Sequence, residues 1–386
     1  MLTFLALAQA AALCLLVARL LPGRHRISPV LPGAPNDGAP SSVTVIVATL
    51  NEAERLQPCL DGLMAQGALV CEILVVDSDS RDGTPALVLA AAERDARVRL
   101  LHDDPLPDGW VGKVWALQHG LAAARGEWVL GIDADTIPHP GLAAGAVAAA
   151  IEHGYDAVSF SPRFRTSGPA ERWLQPAMLM TLVYRFGAAG GDAGAGRVMA
   201  NGQCFLARRS VLEGAGGYTS ARASFSDDVT LARELGRLGH AVGFLDGSRL
   251  YDVASYASVR EMWREWGRSI DLKDAAGGAW RQWMDVLFIL MVQGMPLVLL
   301  LVALALTLFG SGTARADARW ALVILPSVAL GIRWAMQFAV AGSYAEHGVA
   351  FWLSPLADPV AAARIVMSTV RRPTTWRGRA YTRGGD

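Results

Sequence analysis

The chain is almost without lysine: Lys113 and Lys273 are its only two, and every other side-chain cation apart from histidine is an arginine. Its four cysteines, Cys14, Cys59, Cys71 and Cys204, are far apart and show no CxxC or histidine-rich spacing. That argues against a zinc site or a disulfide framework and fits packing thiols in a reducing compartment. Net charge is also missing, with 35 basic and 35 acidic residues. Without a basic footprint, nucleic acid is not expected as a partner. Nor does any cation precede the first apolar run, "LTFLALAQAAALCLLVA" at residues 2–18, whereas Arg19, Arg24, His25 and Arg26 follow it. A cleavable signal peptide has the opposite order. The run therefore reads as a signal anchor, with the N-terminus outside and the main domain in the cytoplasm.

What is present is apolar and concentrated: 52% of residues are hydrophobic and the mean hydropathy is +0.30. Two further runs, at 286–309 and 320–341, have the length of membrane spans and are joined by "GSGTARADAR"; the second contains Arg333. The stretch 349–370 carries Pro355, Asp358, Pro359 and Arg364, which are costly or disruptive in hydrocarbon. It reads as re-entrant or interfacial, with a third full crossing as the alternative. The expected organisation is a membrane anchor at 1–26, a Pro/Gly/Ser-rich linker at 27–42, a soluble domain at 43–255 and amphipathic interface helices at 256–285. Two transmembrane helices follow at 286–341, then a re-entrant or third membrane segment and a basic tail at 342–386. Such a chain is expected in the cell's inner membrane, multi-pass.

In the soluble part, short β-branched runs at 43–50, 72–77, 97–101, 127–133 and 156–160 alternate with helical patterns. Strand–helix alternation predicts an α/β domain, a mainly parallel sheet with helices on both faces. Ligands of such sheets sit beyond the carboxyl ends of the strands. Polar groups converge there. "ATLNEAE" follows the first strand, and "DSDSRDGT" (77–84) follows the second with Asp77, Asp79 and Asp82. Lys113 opens the third helix, and "GIDADT" (131–136) ends a strand with the pair Asp133 and Asp135. These suit, in turn, a sugar or base edge, a phosphate and a divalent ion. A nucleotide diphosphate with Mg2+ or Mn2+ would use all of them.

Each piece alone has a plainer explanation. Aspartate at a strand end makes an Asx turn or caps a helix, "DSDSRDGT" is a turn sequence, and Lys113 suits a solvated helix face. Order and spacing together go further. "VIVATLNEAERL", "EILVVDSDSRDGT", "GKVWALQHGL", "LGIDADT", "NGQCFLARRS" and "SDDVTLARELGRLG" resemble the successive motifs of family-2 glycosyltransferases, over roughly residues 43–250.

That resemblance implies the GT-A (nucleotide-diphospho-sugar transferase) fold, with transmembrane helices added at both ends of the chain. It implies that Thr49, Asn51, Glu52, Asp77 and Asp79 hold the nucleoside and Lys113 the nucleotide. Asp133 would serve the ribose or phosphate side with a possible share in the metal, and Asp135 would bind the metal. Asp228 would be the general base, chosen over Asp227 by alignment with the helix that follows. The reaction implied is an inverting displacement from a nucleotide-sugar, a UDP-sugar favoured. Processive members carry a Q/R-x-x-R-W motif, from which "VREMWREWGRS" (259–269) departs, so a polysaccharide synthase is disfavoured. Trp263, Trp266, Trp280 and Trp283 read as anchors of an amphipathic helix. A sheet domain with apolar runs on both sides suits a lipid acceptor. The arrangement and the "TWRGRAY" tail are similar to carotenoid- and hopanoid-associated members; polyprenyl phosphate and glycerolipid acceptors stay open. A nucleotidyltransferase would need a glycine- and cation-rich loop after the first strand, which is missing. A non-catalytic membrane scaffold is disfavoured by the intact acidic set.

Overall fold

The computed structural model describes residues 2–34, 42–103, 105–191, 198–254, 256, 258–269, 279–309, 316–370, 375–376 and 379–380. The middle of the expected linker (35–41), the link between the last two apolar runs (310–315) and most of the basic tail lie outside the described residues. The chain forms two units. One contains Arg26–Arg165, Ala189–Ala254 and the tail from Thr374; the other contains Met1–His25, Thr166–Ala188 and Ser255–Pro373. The grouping of 166–188 with the apolar helices is not visible in the sequence pattern, because Arg172, Gln175 and Arg185 interrupt the helix Pro169–Phe186.

The first unit is a sheet domain. Its strands in chain order are β1 (Val43–Thr49), β2 (Val70–Asp77), β3 (Val98–His102), β4 (Trp128–Asp133), β5 (Thr136–Pro138), β6 (Ala157–Ser161), β7 (Arg163–Phe164), β8 (Cys204–Arg208), β9 (Val242–Asp246) and β10 (Tyr251–Val253). Seven form one sheet in the order β3-β2-β1-β4-β8-β6-β9. All its pairings are parallel except those of β8, which runs antiparallel to both β4 and β6. The mainly parallel sheet is the one expected; β8 was not anticipated, since it lies inside a motif noticed for its polar residues. Val43, Val45 and Val47 join the main core on one face of β1, and Ile46 is buried on the other. Burial on both faces explains the unbroken apolar run. Leu56, Leu60 and Leu63, spaced along the helix Leu56–Met64, have no exposed surface and close one side of that core.

Register places the strand ends. Thr49 lies opposite Asp77 and Ala48 opposite Asp133, so β1, β2 and β4 finish side by side. The turn after β4 is then fixed by a small sheet of order β5-β10-β7. Val253 pairs with Thr136, and the Ala254 amide donates to the Asp135 carbonyl at 3.3 Å. Behind this turn the fully buried Asp252 accepts from Arg163 Nε and Arg165 Nε, both at 2.7 Å, which ties β10 to β7.

Among the described residues the second unit contains three helical segments long and apolar enough to cross a membrane, Thr3–His25, Trp280–Leu306 and Leu322–Ala339. The middle one starts earlier than its apolar run suggests, at Ala279, and passes through a wide turn at Leu290–Gly294. Large apolar side chains face outward on these helices, among them Phe4, Leu7, Leu304, Leu308 and Phe338. The tryptophans divide: Trp266 is buried, whereas Trp280 is 74% exposed and Trp283 48%. The cysteines divide too, since Cys59 and Cys204 pack in the sheet core as expected but Cys14 and Cys71 are exposed.

Arg333 is not a flaw in its helix. Its side chain is 1% exposed and lies against both oxygens of Asp358 at 3.0 Å, with Gln337 at 2.7 Å and Ser354 at 3.3 Å. Gln293 Nε2 donates to the Ala177 carbonyl and to Asp358. Breaking such a pair strands a buried charge, so Asp358→Leu alone is expected to cost about 3–5 kcal/mol. The double change Arg333→Met/Asp358→Leu should recover most of that loss in thermal unfolding of the detergent-solubilised protein.

Candidate active site

At the C-terminal ends of β1 and β2, two loops hold each other. Thr49 Oγ1 donates to Asp77 Oδ1 at 3.2 Å, and the Ser80 amide donates to Asp77 Oδ2 at 2.9 Å. Asn51 and Asp79 have φ of 55° and 65°, the only non-glycine residues in the left-handed region among those described. Short amide and carboxylate side chains tolerate that region better than most. The Asn51 amide donates to Ser80 Oγ, and Asn51 Oδ1 accepts from the Arg81 amide. Glu52 is buried, with its amide on Thr84 Oγ1 at 2.9 Å. Asp82 takes the Ala53 amide on one oxygen and Thr84 on the other. Some burial opposes ionisation, but these donors outweigh it and hold its carboxyl below the usual range. Asp82 is therefore a strut of the double loop, while Asp79 is half exposed beside Arg81.

Lys113, Asp133 and Asp228 come together from three elements. Lys113 is the second residue of the helix Gly112–Ala123, and its Nζ lies 2.7 Å from Asp133 Oδ1 at the end of β4. Asp228, in the first turn of the helix Asp227–Arg237, accepts the Gly202 amide on Oδ2 at 2.6 Å and the Val229 amide on Oδ1 at 2.8 Å. Asp227 beside it is buried. Burial alone would depress the Lys113 ammonium, but the carboxylates of Asp133, Asp227 and Asp228 outweigh it and hold Lys113 above the usual lysine range. Burial, then the neighbouring Asp227, push Asp228 up to about 7. Burial raises Asp227 as well, against the pull of Lys113. The site thus gathers one cation and several carboxylates in a low-dielectric place, where Lys113 favours the charged carboxylates and they oppose one another's ionisation.

Asp135 occupies the turn between β4 and β5, two residues after Asp133. Thr136 Oγ1 donates to the Asp133 carbonyl at 2.8 Å and orders this turn. Among the described residues no three His, Cys, Asp or Glu side chains gather into a ready cation cage. A carboxylate pair fits a hard divalent ion that completes its shell with water and phosphate, and does not fit zinc. Burial pushes the nearby Cys59 thiol up to about 12, so it stays protonated.

Two participants were missed in the sequence. Asp103, buried after β3, accepts from Ser78 Oγ at 2.8 Å, and its carbonyl accepts from Trp115 Nε1 at 2.6 Å. It comes directly after the last residue of β3, while Asp77 and Asp133 close β2 and β4, and an aspartate at a strand end is the signal that marks it. Gly202 was quoted only as part of a motif; the signal there is a glycine beside a loop that must approach another backbone.

Residues 44–216 match the family model described as glycosyl transferase family 2. The chain is 39% identical over 98 residues to the succinoglycan biosynthesis protein ExoO of Rhizobium meliloti, covering 25% of this chain and 26% of that protein. It is 35% identical over 107 residues to the dolichyl-phosphate beta-glucosyltransferase ALG5C of Trichomonas vaginalis, covering 25% and 31%. The chain thus spans a third or less of the length of these curated relatives. A mannosyltransferase from Pyrobaculum calidifontis, solved with GDP-Man and Mn2+, is similar in fold with a TM-score of 0.52 and 22% identity, over 96% of this chain and 98% of that one.

Proposed function

Residues 44–216 form a glycosyl transferase family 2 domain on a GT-A fold, and from that premise we propose that the chain moves a sugar from a nucleotide-diphospho-sugar to a hydroxyl of a lipid acceptor. The observation that carries this proposal is the meeting of Lys113, Asp133 and Asp228 at one sheet edge, in a chain with three helical segments apolar enough for a membrane. An isoprenoid such as a carotenoid or hopanoid is the acceptor put forward first. The similarity to the dolichyl-phosphate beta-glucosyltransferase of Trichomonas vaginalis makes a polyprenyl phosphate the second. Mass spectrometry of lipid extracts from cells with and without the protein tests the choice: a hexose increment on a neutral isoprenoid supports the first and on a polyprenyl phosphate the second. No new glycolipid would overturn both.

Each residue then has a role. Thr49, Asn51, Glu52, Asp77 and Asp79 would face the nucleoside from the double loop, and Lys113 would meet the diphosphate. Asp135, with Asp133 beside it, would hold Mg2+ or Mn2+, which when bound offsets the negative charge of the leaving diphosphate. Asp228 would take the proton from the acceptor hydroxyl as it attacks from the opposite side, an inverting displacement. The donor is a UDP-sugar in the first instance, with GDP-mannose as the competitor, since the Pyrobaculum neighbour holds GDP-Man. Release of UDP or GDP in a paired assay separates them.

The cations after the first apolar segment support a cytoplasmic catalytic unit at the inner membrane. A reporter inserted in the 27–42 linker should be active only in the cytoplasm. Activity restricted to the outer side would reverse this topology. Residues 349–370 would be re-entrant, because the 13-residue helix Asp358–Val370 reaches about 20 Å against a hydrocarbon core of about 30 Å.

A further inference from the structure

The loop Asn201-Gly202-Gln203 has no role in the scheme above, yet it touches both sides of the site. Its anchor is the hydroxyl of Ser159, fully buried on β6. Ser159 Oγ accepts from the Asn201 amide at 2.6 Å and donates to the Asn201 carbonyl at 2.9 Å, so one side chain fixes both backbone groups of one residue. The Asn201 side chain then closes on Gln203, with Oδ1 accepting from the Gln203 amide and Nδ2 donating to Gln203 Oε1, each at 3.0 Å. From this frame the Gly202 amide donates to Asp228 Oδ2 at 2.6 Å, and the Gln203 carbonyl accepts from the Asp133 amide at 3.3 Å. A Cβ at position 202 would stand 3.1 Å from Lys113 Nζ and 3.4 Å from Asp228 Cβ. Gly202 therefore sits close to both the lysine and the aspartate, with no side chain to disturb either.

We propose that Ser159 is a positioning residue for Asp228, acting through this loop to keep the carboxylate aimed at the acceptor and off Lys113. The inference rests on the sugar-transfer function proposed above. An ammonium and a carboxylate this near would otherwise close into an ion pair. Such a pair would quench the basicity that Asp228 needs, even with Lys113 still held by Asp133. The Gly202 and Val229 amides prevent this by taking one lone pair on each oxygen, which leaves a second lone pair for the acceptor's proton. Because the Gly202 amide comes from the backbone, its aim depends on how firmly residue 201 is held, and Ser159 holds both backbone groups of that residue, with the Cys204 amide adding a longer contact to its carbonyl at 3.4 Å. The side chain meets neither donor nor acceptor in this scheme. Its effect is on the geometry of the base.

The test uses the full chain in native membrane vesicles, supplied with UDP-glucose and, separately, GDP-mannose. Ser159→Ala is expected to lower kcat by about 10- to 100-fold, the scale of a small misplacement of a reacting group. The donor KM should stay within about threefold, because Lys113 and the double loop are untouched. Amide exchange at Gly202, followed by mass spectrometry on the purified protein, should accelerate. A folded Ser159→Ala protein with unchanged kcat, whatever its Tm, overturns the proposal. Should that variant not fold, Gly202→Ala decides: its methyl would crowd Lys113 and Asp228, so kcat should fall, and wild-type kcat overturns the proposal. If the wild-type protein transfers no sugar with either donor, the proposed function fails. Gly202 exchange then judges the clamp by itself, and unchanged exchange in Ser159→Ala refutes it.

Discussion

Asp228→Asn is expected to lower turnover by about 100- to 10,000-fold, the usual contribution of a positioned general base, equivalent to roughly 3–5 kcal/mol of barrier. Donor affinity should change little, and Tm should fall only by the loss of one contact. The amide has one acceptor oxygen where the carboxylate has two, so it keeps either the Gly202 or the Val229 amide and gives up the other. What is lost is the ability to take a proton. The other explanation for an aspartate at this position is a helix cap, whose removal costs about 1 kcal/mol of stability with little kinetic effect. Kinetics and melting measured on one preparation separate the two. If Asp227→Asn loses turnover while Asp228→Asn keeps it, the base is one residue earlier; if neither does, no base acts at this helix. The same side chain sets a pH signature. Because burial and Asp227 raise Asp228 to about 7, the carboxyl is protonated and inactive below that pH. Turnover should therefore climb through neutrality rather than near the ordinary carboxylate range.

Asp135→Asn is expected to abolish turnover while the fold survives. A neutral amide is a far poorer ligand for a hard divalent ion than a carboxylate, and the remaining Asp133 is already engaged by Lys113. The turn itself is held by backbone contacts, Val253 with Thr136 and the Ala254 amide on the Asp135 carbonyl, which the substitution leaves in place. Asp133→Asn should instead weaken donor binding first, as Lys113 loses its partner. Titration of Mn2+ into the wild-type and Asp135→Asn proteins, read by calorimetry in the presence of UDP or GDP, gives the result without any turnover. Full activity of the wild type in excess chelator would remove the metal from the scheme.

Much of this was legible before any coordinates. The β-branched runs at 43–50 and 127–133 are unbroken because β1 and β4 are covered on both faces, and the glycine- and aspartate-rich turns mark where they stop. Strand ends with acidic residues pointed to Lys113 and Asp133, and the family resemblance named Asp228; the structure brings the three side chains together. Other features were hidden for physical reasons. The antiparallel β8 lies inside the stretch "NGQCFLARRS", whose polar ends mask the short apolar run between them. The contact of Gly202 with Asp228 joins residues 26 positions apart through a backbone amide, which has no sequence signature. Arg333 looked like a weakness in an apolar run because its partner Asp358 lies 25 residues further on.

That separation has a meaning for how the protein is made. The helix Ala316–Ala339 leaves the ribosome with an arginine in its second half and before its counter-charge exists. At the centre of a bilayer an unpaired arginine costs about 2.5–3.5 kcal/mol on translocon-based scales. The helix is thus a poor substrate for insertion by itself and becomes an acceptable one when Asp358, Ser354 and Gln337 surround the guanidinium. Until Asp358 has been made, Arg333 lacks the carboxylate it pairs with, so the stretch from Arg333 to Asp358 is expected to become stable only as one piece.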